Sequence, residues 1–186
     1  MNTFFEQNAS LLLENPELVD VFENLMSFEK YPKHHLLHEA GKVCNDMYII
    51  TSGIARVFYY KEDKDISCHF SAEQETITTI DSFIQRKKSK YNIEALEDLE
   101  VLRISHADLE NLFESNPKYE RFGRLFLQQI YMDLVERIDD LQLKTAQERY
   151  ETLLTKKPYL FQRIASKHIA SFLSITPETL SRIRGK

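Results

Sequence analysis

A chain of 186 residues has room for one large domain, or for a medium domain and a small one. Its hydrophobic fraction of 42% and charged fraction of 28% are ordinary for a soluble globular protein. No apolar run approaches the roughly 20 residues that span a bilayer, and no secretory signal opens the sequence. Cys44 and Cys68, far apart in the chain, are expected to be free thiols in a reducing cytosol, so we expect a cytoplasmic location.

The net charge of −5 is unevenly distributed along the chain. Residues 144–186 carry nine Lys or Arg against three Asp or Glu, whereas the remaining residues carry 15 and 26. A basic tail on an acidic body is expected if only the tail contacts the phosphate groups of a nucleic acid. The alternative is chance, because short terminal segments often differ in charge from the rest of a protein.

The first two thirds of the chain predict a helix followed by many short strands. Residues 1–26 have a helical pattern that Asn15-Pro16 interrupts. From about residue 30 to residue 104, β-branched and aromatic runs alternate with turns, most clearly at residues 47–60 around Thr51-Ser52-Gly53. Strands at this spacing predict a small antiparallel β-roll or jelly roll.

The apolar spacing becomes helical after residue 105. Ser105 is predicted to cap a short helix, and Asn116-Pro117 to open a long helix that runs to about Leu143. Apolar residues at steps of three and four give the long helix one apolar face, which we assign to pairing with a second copy. A buried core helix in a monomer is the alternative. The residues of this face are Leu127, Ile130, Leu134, Ile138 and Leu141.

Residues 166–184 predict a helix-turn-helix. Ser166 is expected to cap a short first helix, and Ser174-Ile175 to form the turn. Thr176 is expected to cap the second helix, with Pro177 at its first position. This spacing is typical of the motif whose second helix enters the DNA major groove. At about 100° per residue, Leu180 faces inward and the polar residues of the second helix face outward.

The outward face of the second helix has the chemistry for reading DNA. Arginine can bind guanine O6 and N7 with two hydrogen bonds, and glutamate can accept from cytosine N4. A surface ion pair between Glu178 and Arg182, four residues apart, is the alternative. The predicted base-reading residues are Glu178, Thr179, Ser181 and Arg182. The predicted phosphate contacts, whose alternative is a solvated basic surface, are Ser166, Lys167, His168, Thr176, Arg184 and Lys186.

With both halves interpreted, the chain resembles the Crp/Fnr superfamily of transcription regulators, especially short forms common in Bacteroidetes. The stretches that carry the resemblance are YIITSG (48–53), YNIEALED (91–98), AQERY (146–150) and IASFLSITPETLSRIR (169–184). The resemblance implies an α+β chain: a cyclic-nucleotide-binding-type β-roll at 1–114, a dimerisation helix at 115–143 and a winged helix-turn-helix at 144–186. The family's base-reading Glu and Arg fall on Glu178 and Arg182.

Two departures from the family limit what the resemblance implies. Its cyclic-nucleotide-binding members carry a Gly-Glu pair followed by an Arg, which together hold ribose and phosphate. The pair aligns here with Thr78-Thr79 and the Arg with Lys90, so we expect cyclic AMP not to bind in the usual way. Because Arg86 and Lys90 could still attract an anion, we keep Thr78, Thr79, Arg86 and Lys90 as an effector pocket. The second departure is that the sequence stops at Lys186, so no wing is expected after the recognition helix.

Other chemistries have weaker support in the sequence. His34, His35 and His38 lie near a strand, where successive side chains alternate faces, so no metal site is expected. Two cysteines cannot hold an iron–sulfur cluster, which needs four thiolates, and no cofactor is expected. A metal-dependent barrel enzyme needs several histidines inside the barrel, and only His69 lies in mid-strand. We therefore assign no catalytic residue and no enzymatic activity.

The sequence thus predicts a homodimeric regulator that binds double-stranded DNA and contacts no membrane. RNA polymerase is a candidate further partner, and a small-molecule effector is not identified by the sequence. The alternative function is a sensor module for a small anion or nucleotide whose DNA-binding domain is weak or vestigial. A barrel enzyme is the third hypothesis.

Overall fold

The structure, a computed structural model, describes residues 16–185. The predicted helix within residues 1–15 and the predicted phosphate contact Lys186 lie outside the described residues. The first described helix, α1 (Pro16–Leu25), leads into eight strands. These are β1 (Ser27–Tyr31), β2 (Leu36–His38), β3 (Asp46–Ser52), β4 (Ala55–Lys61), β5 (Lys64–Ser71), β6 (Thr76–Ile77), β7 (Asn92–Ala95) and β8 (Leu99–Ser105), with the short helix α2 (Ile80–Gln85) between β6 and β7.

The strands form two four-stranded antiparallel sheets. One has the order β1-β8-β3-β6 and the other β2-β7-β4-β5, so β5 lies at an edge. Inward-facing residues of the two sheets pack together in one apolar cluster, which includes Ile50 and Val101 from the first sheet and Val57 and Ile93 from the second. The predicted β-roll is therefore confirmed, because alternate residues of both sheets supply its core.

The turn at residues 51–53 connects the two sheets and is not the tip of a hairpin. β3 pairs with β6 and β8, whereas β4 pairs with β5 and β7. Gly53 lies at the point where the chain passes from one sheet to the other, and its φ is +97°. A Cβ added to it would lie 2.5 Å from the carbonyl oxygen of Asp98. Only glycine combines that backbone angle with such a close approach.

Helices form the rest of the described chain, and several of their N-caps follow the sequence signals. Ser105 Oγ accepts a hydrogen bond from Asp108 N at 3.1 Å, and Asn116 Oδ1 accepts one from Lys118 N at 2.9 Å. Thr145 begins the next helix with a complete capping box. The helices are α3 (His106–Ser115), α4 (Pro117–Leu143), α5 (Ala146–Lys156), α6 (Leu160–Arg163), α7 (Ser166–Phe172) and α8 (Pro177–Arg184). No helix of the described chain is long and apolar enough to cross a membrane.

The C-terminal helices share a hydrophobic core with the β-roll. Ile54, Phe70, Ala72 and Leu96 of the roll belong to the same cluster as seven buried residues of the C-terminal segment. This core crosses the boundary predicted at residue 143, so the β-roll and the helix-turn-helix pack as one body in this structure. The seven C-terminal residues are Leu153, Leu160, Ile164, Ile169, Ala170, Leu173 and Leu180.

Candidate nucleic-acid interface and effector cavity

Helices α7 and α8 form the predicted helix-turn-helix. Ser174 ends α7 in the left-handed conformation, with φ 55°. The turn closes through two backbone hydrogen bonds, from Ile175 N to Ala170 O and from Ser174 N to Ser171 O, each 3.0 Å long. This is the bonding pattern of a helix that stops at a left-handed residue, and it sets the angle at which α8 leaves α7.

One of the two predicted N-caps differs from the structure. Thr176 Oγ1 accepts from Thr179 N at 3.2 Å, which confirms the predicted cap of α8. The cap of α7 is Ala165, whose side chain accepts no bond, so the prediction of Ser166 as a cap is wrong. Ser166 is the first residue of the helix, and its Oγ accepts from Arg184 Nη1 at 2.9 Å. That bond joins the beginning of α7 to the end of α8.

The recognition helix α8 presents its polar face to solvent. Leu180 is 1% exposed and packs against α7, whereas Glu178, Ser181 and Arg182 are exposed. Thr179 is half-buried. The structure thus brings the four predicted base-reading residues onto the accessible side of one helix, and their contact with bases stays a prediction.

The predicted phosphate contacts divide into two groups. Ser166, Lys167, Thr176 and Arg184 are exposed around the two helices, as that role requires. His168 is only 9% exposed, and its Nδ1 accepts a hydrogen bond from Arg56 Nη1 at 2.8 Å. Its side chain points into the β-roll, so His168 cannot contact phosphate in this arrangement and the assignment is corrected.

Arg56 on β4 is the buried partner that holds His168. Its guanidinium forms salt bridges with Asp65 at 2.5 Å and Glu94 at 2.7 Å, and it donates to Ser67 Oγ at 3.0 Å. Because a guanidinium can only donate, His168 Nδ1 must be the acceptor and the ring must be neutral. Burial, followed by the charge of Arg56, lowers the pKa of His168 to about 4, in agreement with that assignment.

Helix α7 also covers the outer edge of strand β5. Ser171 Oγ accepts from Ser67 N at 3.0 Å and donates to Asp65 O at 3.1 Å. These bonds satisfy backbone groups that an edge strand otherwise leaves unpaired. The first helix of the motif is therefore bound to the roll, and the second helix carries the free surface.

Four of the nine cations of the basic tail form salt bridges with carboxylates of the acidic body. Arg163 lies 2.7 Å from Glu73 and 2.6 Å from Glu97, and its hydrogen bond lowers the pKa of Glu73 to about 2. The charge asymmetry of the sequence therefore reflects, in part, attraction within the chain. Exposed Lys167, Arg182 and Arg184 form none of these salt bridges. The other pairs are Lys157–Glu75, Lys156–Glu136 and Lys144–Asp140.

A cavity of about 450 Å³ lies between β5 and β6 of the roll, α4, and the C-terminal helices. Thr78 and Thr79 line it, and Thr79 Oγ1 is buried without a partner among the described residues. Arg86 lies outside it and donates to Cys44 O at 2.7 Å, and Lys90 is exposed with its ammonium 5.1 Å from the Tyr91 ring centroid. The four predicted pocket residues therefore do not converge on one anion site, because both cations are directed elsewhere.

The long helix α4 exposes most of its predicted dimerisation face. Leu127, Leu134, Ile138 and Leu141 are 40–52% exposed, a high fraction for large apolar residues. Ile130 is half-buried and lines the cavity. Tyr131, which is 65% exposed, extends the same surface and was not predicted; its position four residues after Leu127 was the available signal.

The other candidate chemical groups do not form a reactive or metal-binding cluster. No group of three or more His, Cys, Asp or Glu residues is placed to hold a metal ion within the described part of the chain. Cys44 and Cys68 are free thiols, and burial raises the pKa of Cys68 to about 11, which disfavours the nucleophilic thiolate.

Comparisons with known proteins agree with this architecture. Residues 28–116 match the family model of the cyclic nucleotide-binding domain. Solved structures with the same fold include FixK2 from Bradyrhizobium japonicum, with 18% identity, a TM-score of 0.70 and coverage of 86% of this chain and 83% of that one. The c-di-GMP-responsive global regulator CLP from Xanthomonas campestris has 17% identity, a TM-score of 0.71 and coverage of 91% and 90%.

A Crp/Fnr-family transcriptional regulator from Eubacterium rectale has 14% identity, a TM-score of 0.71 and coverage of 92% of this chain and 83% of that one. A search of curated protein sequences found no match. At these identities the solved structures establish the fold. Residues 28–116 match the cyclic nucleotide-binding domain family, within a chain that has the same fold as the Crp/Fnr regulators.

Proposed function

We propose that the protein is a cytoplasmic, homodimeric transcription regulator that binds double-stranded DNA in a sequence-specific manner and has no enzymatic activity. The observation that carries this proposal is the exposed polar face of α8, in which Glu178, Ser181 and Arg182 stand above buried Leu180. Packing does not use these polar side chains, and hydrogen bonds to base edges are what their chemistry offers.

The two classes of DNA contact are assigned to different residues. Arg182 binds a guanine through O6 and N7, Glu178 accepts from a cytosine N4, and Thr179 and Ser181 support them. The phosphate contacts fix the register of the protein on the duplex without reading sequence. For these we retain Ser166, Lys167, Thr176, Arg184 and Lys186, without His168.

Dimerisation through α4 is supported by the position of its exposed apolar residues. At about 100° per residue, Leu127, Tyr131, Leu134, Ile138 and Leu141 lie within an arc of roughly 80°. A narrow stripe of this kind fits one partner helix in a coiled-coil-like contact. A twofold axis along this contact carries the two copies of α8 to half-sites about one turn of DNA apart.

Selection of binding sites from random duplex DNA by the full chain tests this function. We expect enrichment of a near-palindrome whose half-site centres lie about 10–10.5 base pairs apart. Affinity should fall steeply as salt is raised, because phosphate neutralisation releases counterions. Enrichment of no sequence, together with equal affinity for all duplexes, would contradict the proposal and favour a sensor module with a vestigial DNA-binding domain.

RNA polymerase remains a proposed partner of the DNA-bound dimer. We infer that the effector is not a cyclic nucleotide bound in the usual way. That mode needs a cation at the phosphate, and Arg86 and Lys90 do not face the cavity beside Thr78 and Thr79. The cavity itself suggests another class of effector.

A further inference from the structure

The cavity between the roll, α4 and the C-terminal helices, here called the junction cavity, has apolar walls from all three parts. The roll contributes Phe70 and Ile77, α4 contributes Phe126 and Ile130, and the C-terminal segment contributes Phe172 and Leu173. Its volume of about 450 Å³ lies within the range of roughly 300–1,000 Å³ that is typical of small-molecule sites. A molecule inside it contacts the roll and the helix-turn-helix at the same time.

Arg137 of α4 lines this cavity without a carboxylate partner. Its Nη2 donates to the carbonyl oxygen of Phe172, and its guanidinium lies 4.0 Å from the Phe172 ring centroid. Among the side chains that the structure describes, no Asp or Glu oxygen comes within the 4 Å of a salt bridge to it. Burial lowers the pKa of Arg137, and the positive charge of Arg149 adds to this effect, whereas the nearby Asp140 carboxylate opposes it only in part.

The other cations near the cavity are already engaged. Lys157 pairs with Glu75 at 2.7 Å, and Lys156 pairs with Glu136. Arg149 donates to the carbonyl oxygens of Leu173 at 3.0 Å and Lys144 at 2.7 Å, which lie at helix ends where carbonyls carry partial negative charge. Arg137 is therefore the cation of this lining that an incoming anion can pair with.

We propose that the junction cavity binds a small carboxylic acid with an apolar body, with its carboxylate paired to Arg137. A guanidinium presents parallel N–H donors that match the two oxygens of a carboxylate. The same helix face carries Asp133 and Asp140, so a single added negative charge is balanced better than the double charge of a phosphate. The unpartnered Thr79 hydroxyl, which also lines the cavity, is available to a polar group of the ligand.

A partner helix on the exposed stripe overlaps this site only at Leu134, which lines the cavity and also belongs to the stripe. Most of the other α4 residues of the lining recur at steps of three and four and share one face. At about 100° per residue, that face is centred roughly a quarter turn from the stripe around Leu134 and Ile138. A coiled-coil partner therefore leaves most of the cavity side to the ligand. The α4 residues of the lining are Phe126, Gln129, Ile130, Asp133, Leu134, Glu136, Arg137 and Asp140.

The site is tested with decanoate, with 1-decanol as the uncharged analogue of equal chain length and acetate as the head group alone. Titration calorimetry and thermal unfolding are followed on the full chain, below the micelle concentration. We expect decanoate to raise the Tm and to bind at least tenfold more tightly than 1-decanol, and acetate to have no effect. Equal affinity for decanoate and 1-decanol, or no binding of decanoate, would overturn the proposal.

Variants of α4 locate the carboxylate. Arg137→Met should bind decanoate and 1-decanol equally, whereas Arg124→Met, which removes an exposed arginine of the same helix, should keep the preference. Should Arg137→Met fail to fold, Arg137→Lys retains the charge without the planar fork and should show a reduced preference. A full preference in either Arg137 variant excludes the assignment. Cyclic AMP and inorganic phosphate should not displace decanoate; displacement would assign the head group to phosphate instead.

The inference rests on the proposed function only in treating the ligand of the junction cavity as the effector of a DNA-binding protein. Decanoate binding is measured without DNA, and DNA selection is carried out without decanoate. Failure to select DNA would refute the regulator and leave the cavity result standing. Failure to bind decanoate would refute the ligand class and leave the DNA result standing.

Discussion

The shared core predicts that a substitution inside the β-roll will loosen the helix-turn-helix. Phe70 on β5 is 2% exposed, and its ring centroid lies 5.2 Å from that of Phe172 on α7. Replacing a buried phenylalanine by alanine costs about 3–5 kcal/mol, of which an aromatic pair accounts for about 0.5–1.5 kcal/mol. The Phe70→Ala substitution removes this stabilisation from the contact between the roll and α7. Helix α7 should therefore unfold locally more readily than the rest of the protein.

Phe83 is the matched control, because it is 4% exposed but packs in a different cluster with Met47, Ile104 and Leu112. Hydrogen–deuterium exchange read by mass spectrometry separates the two effects. We expect Phe70→Ala to accelerate exchange at residues 160–184 more than at residues 99–115, and Phe83→Ala to do the reverse. Identical exchange patterns in the two variants would refute the idea that the shared core docks the motif on the roll.

Two further predictions concern the buried histidine and the exposed stripe. Burial and Arg56 lower the pKa of His168 to about 4, so the stabilisation it confers is complete above pH 6.5 and is lost as the pH falls towards 4. Between pH 7.5 and 5, denaturant unfolding should therefore show about 2 kcal/mol less pH dependence in His168→Gln than in the parent, and equal slopes would contradict the neutral assignment. Placing a charge on the stripe with Ile138→Glu should convert the dimer to a monomer in sedimentation velocity, whereas Gln128→Glu, on another side of the helix, should not; a dimeric Ile138→Glu protein would exclude α4 as the interface.

Local signals in the sequence were sufficient to predict the long helix and the helix-turn-helix. The step-three and step-four spacing gave α4, and Thr176-Pro177 gave the start of α8, because caps and amphipathic faces depend on residues a few positions apart. The short helix α2 was not predicted, since its six residues are too few for a helical period to show.

Contacts between distant parts of the chain were the ones that the sequence could not show. His168 was assigned to phosphate because it lies in a basic segment, but its partner Arg56 is 112 residues away. Its spacing from Ser171 and Phe172, three and four residues on, indicated a second packed face of α7, although not what would cover it. The prediction for Arg86 failed for a similar reason, since its guanidinium donates to the carbonyl oxygen of Cys44, 42 residues away, which only the fold brings near.

The charge pattern of the tail was detected correctly but explained only in part. Lys157 and Arg163 were counted towards DNA binding, and the structure pairs them with Glu75, Glu73 and Glu97 of the roll. The net charge of a segment gives its sign but does not show which groups its charged side chains will contact. The prediction of DNA binding therefore depends on the exposed α8 face more than on the sum of charges.

The affinity of Arg182→Ala for the selected DNA is the most direct measurement of the central proposal. By fluorescence anisotropy it should bind about 1–3 kcal/mol more weakly than the parent, roughly 5- to 150-fold, and lose its preference at one base position. Arg124→Ala, an exposed arginine on α4 remote from the motif, should leave both quantities unchanged. Parental affinity and parental base preference in Arg182→Ala would contradict the proposal that α8 reads DNA sequence.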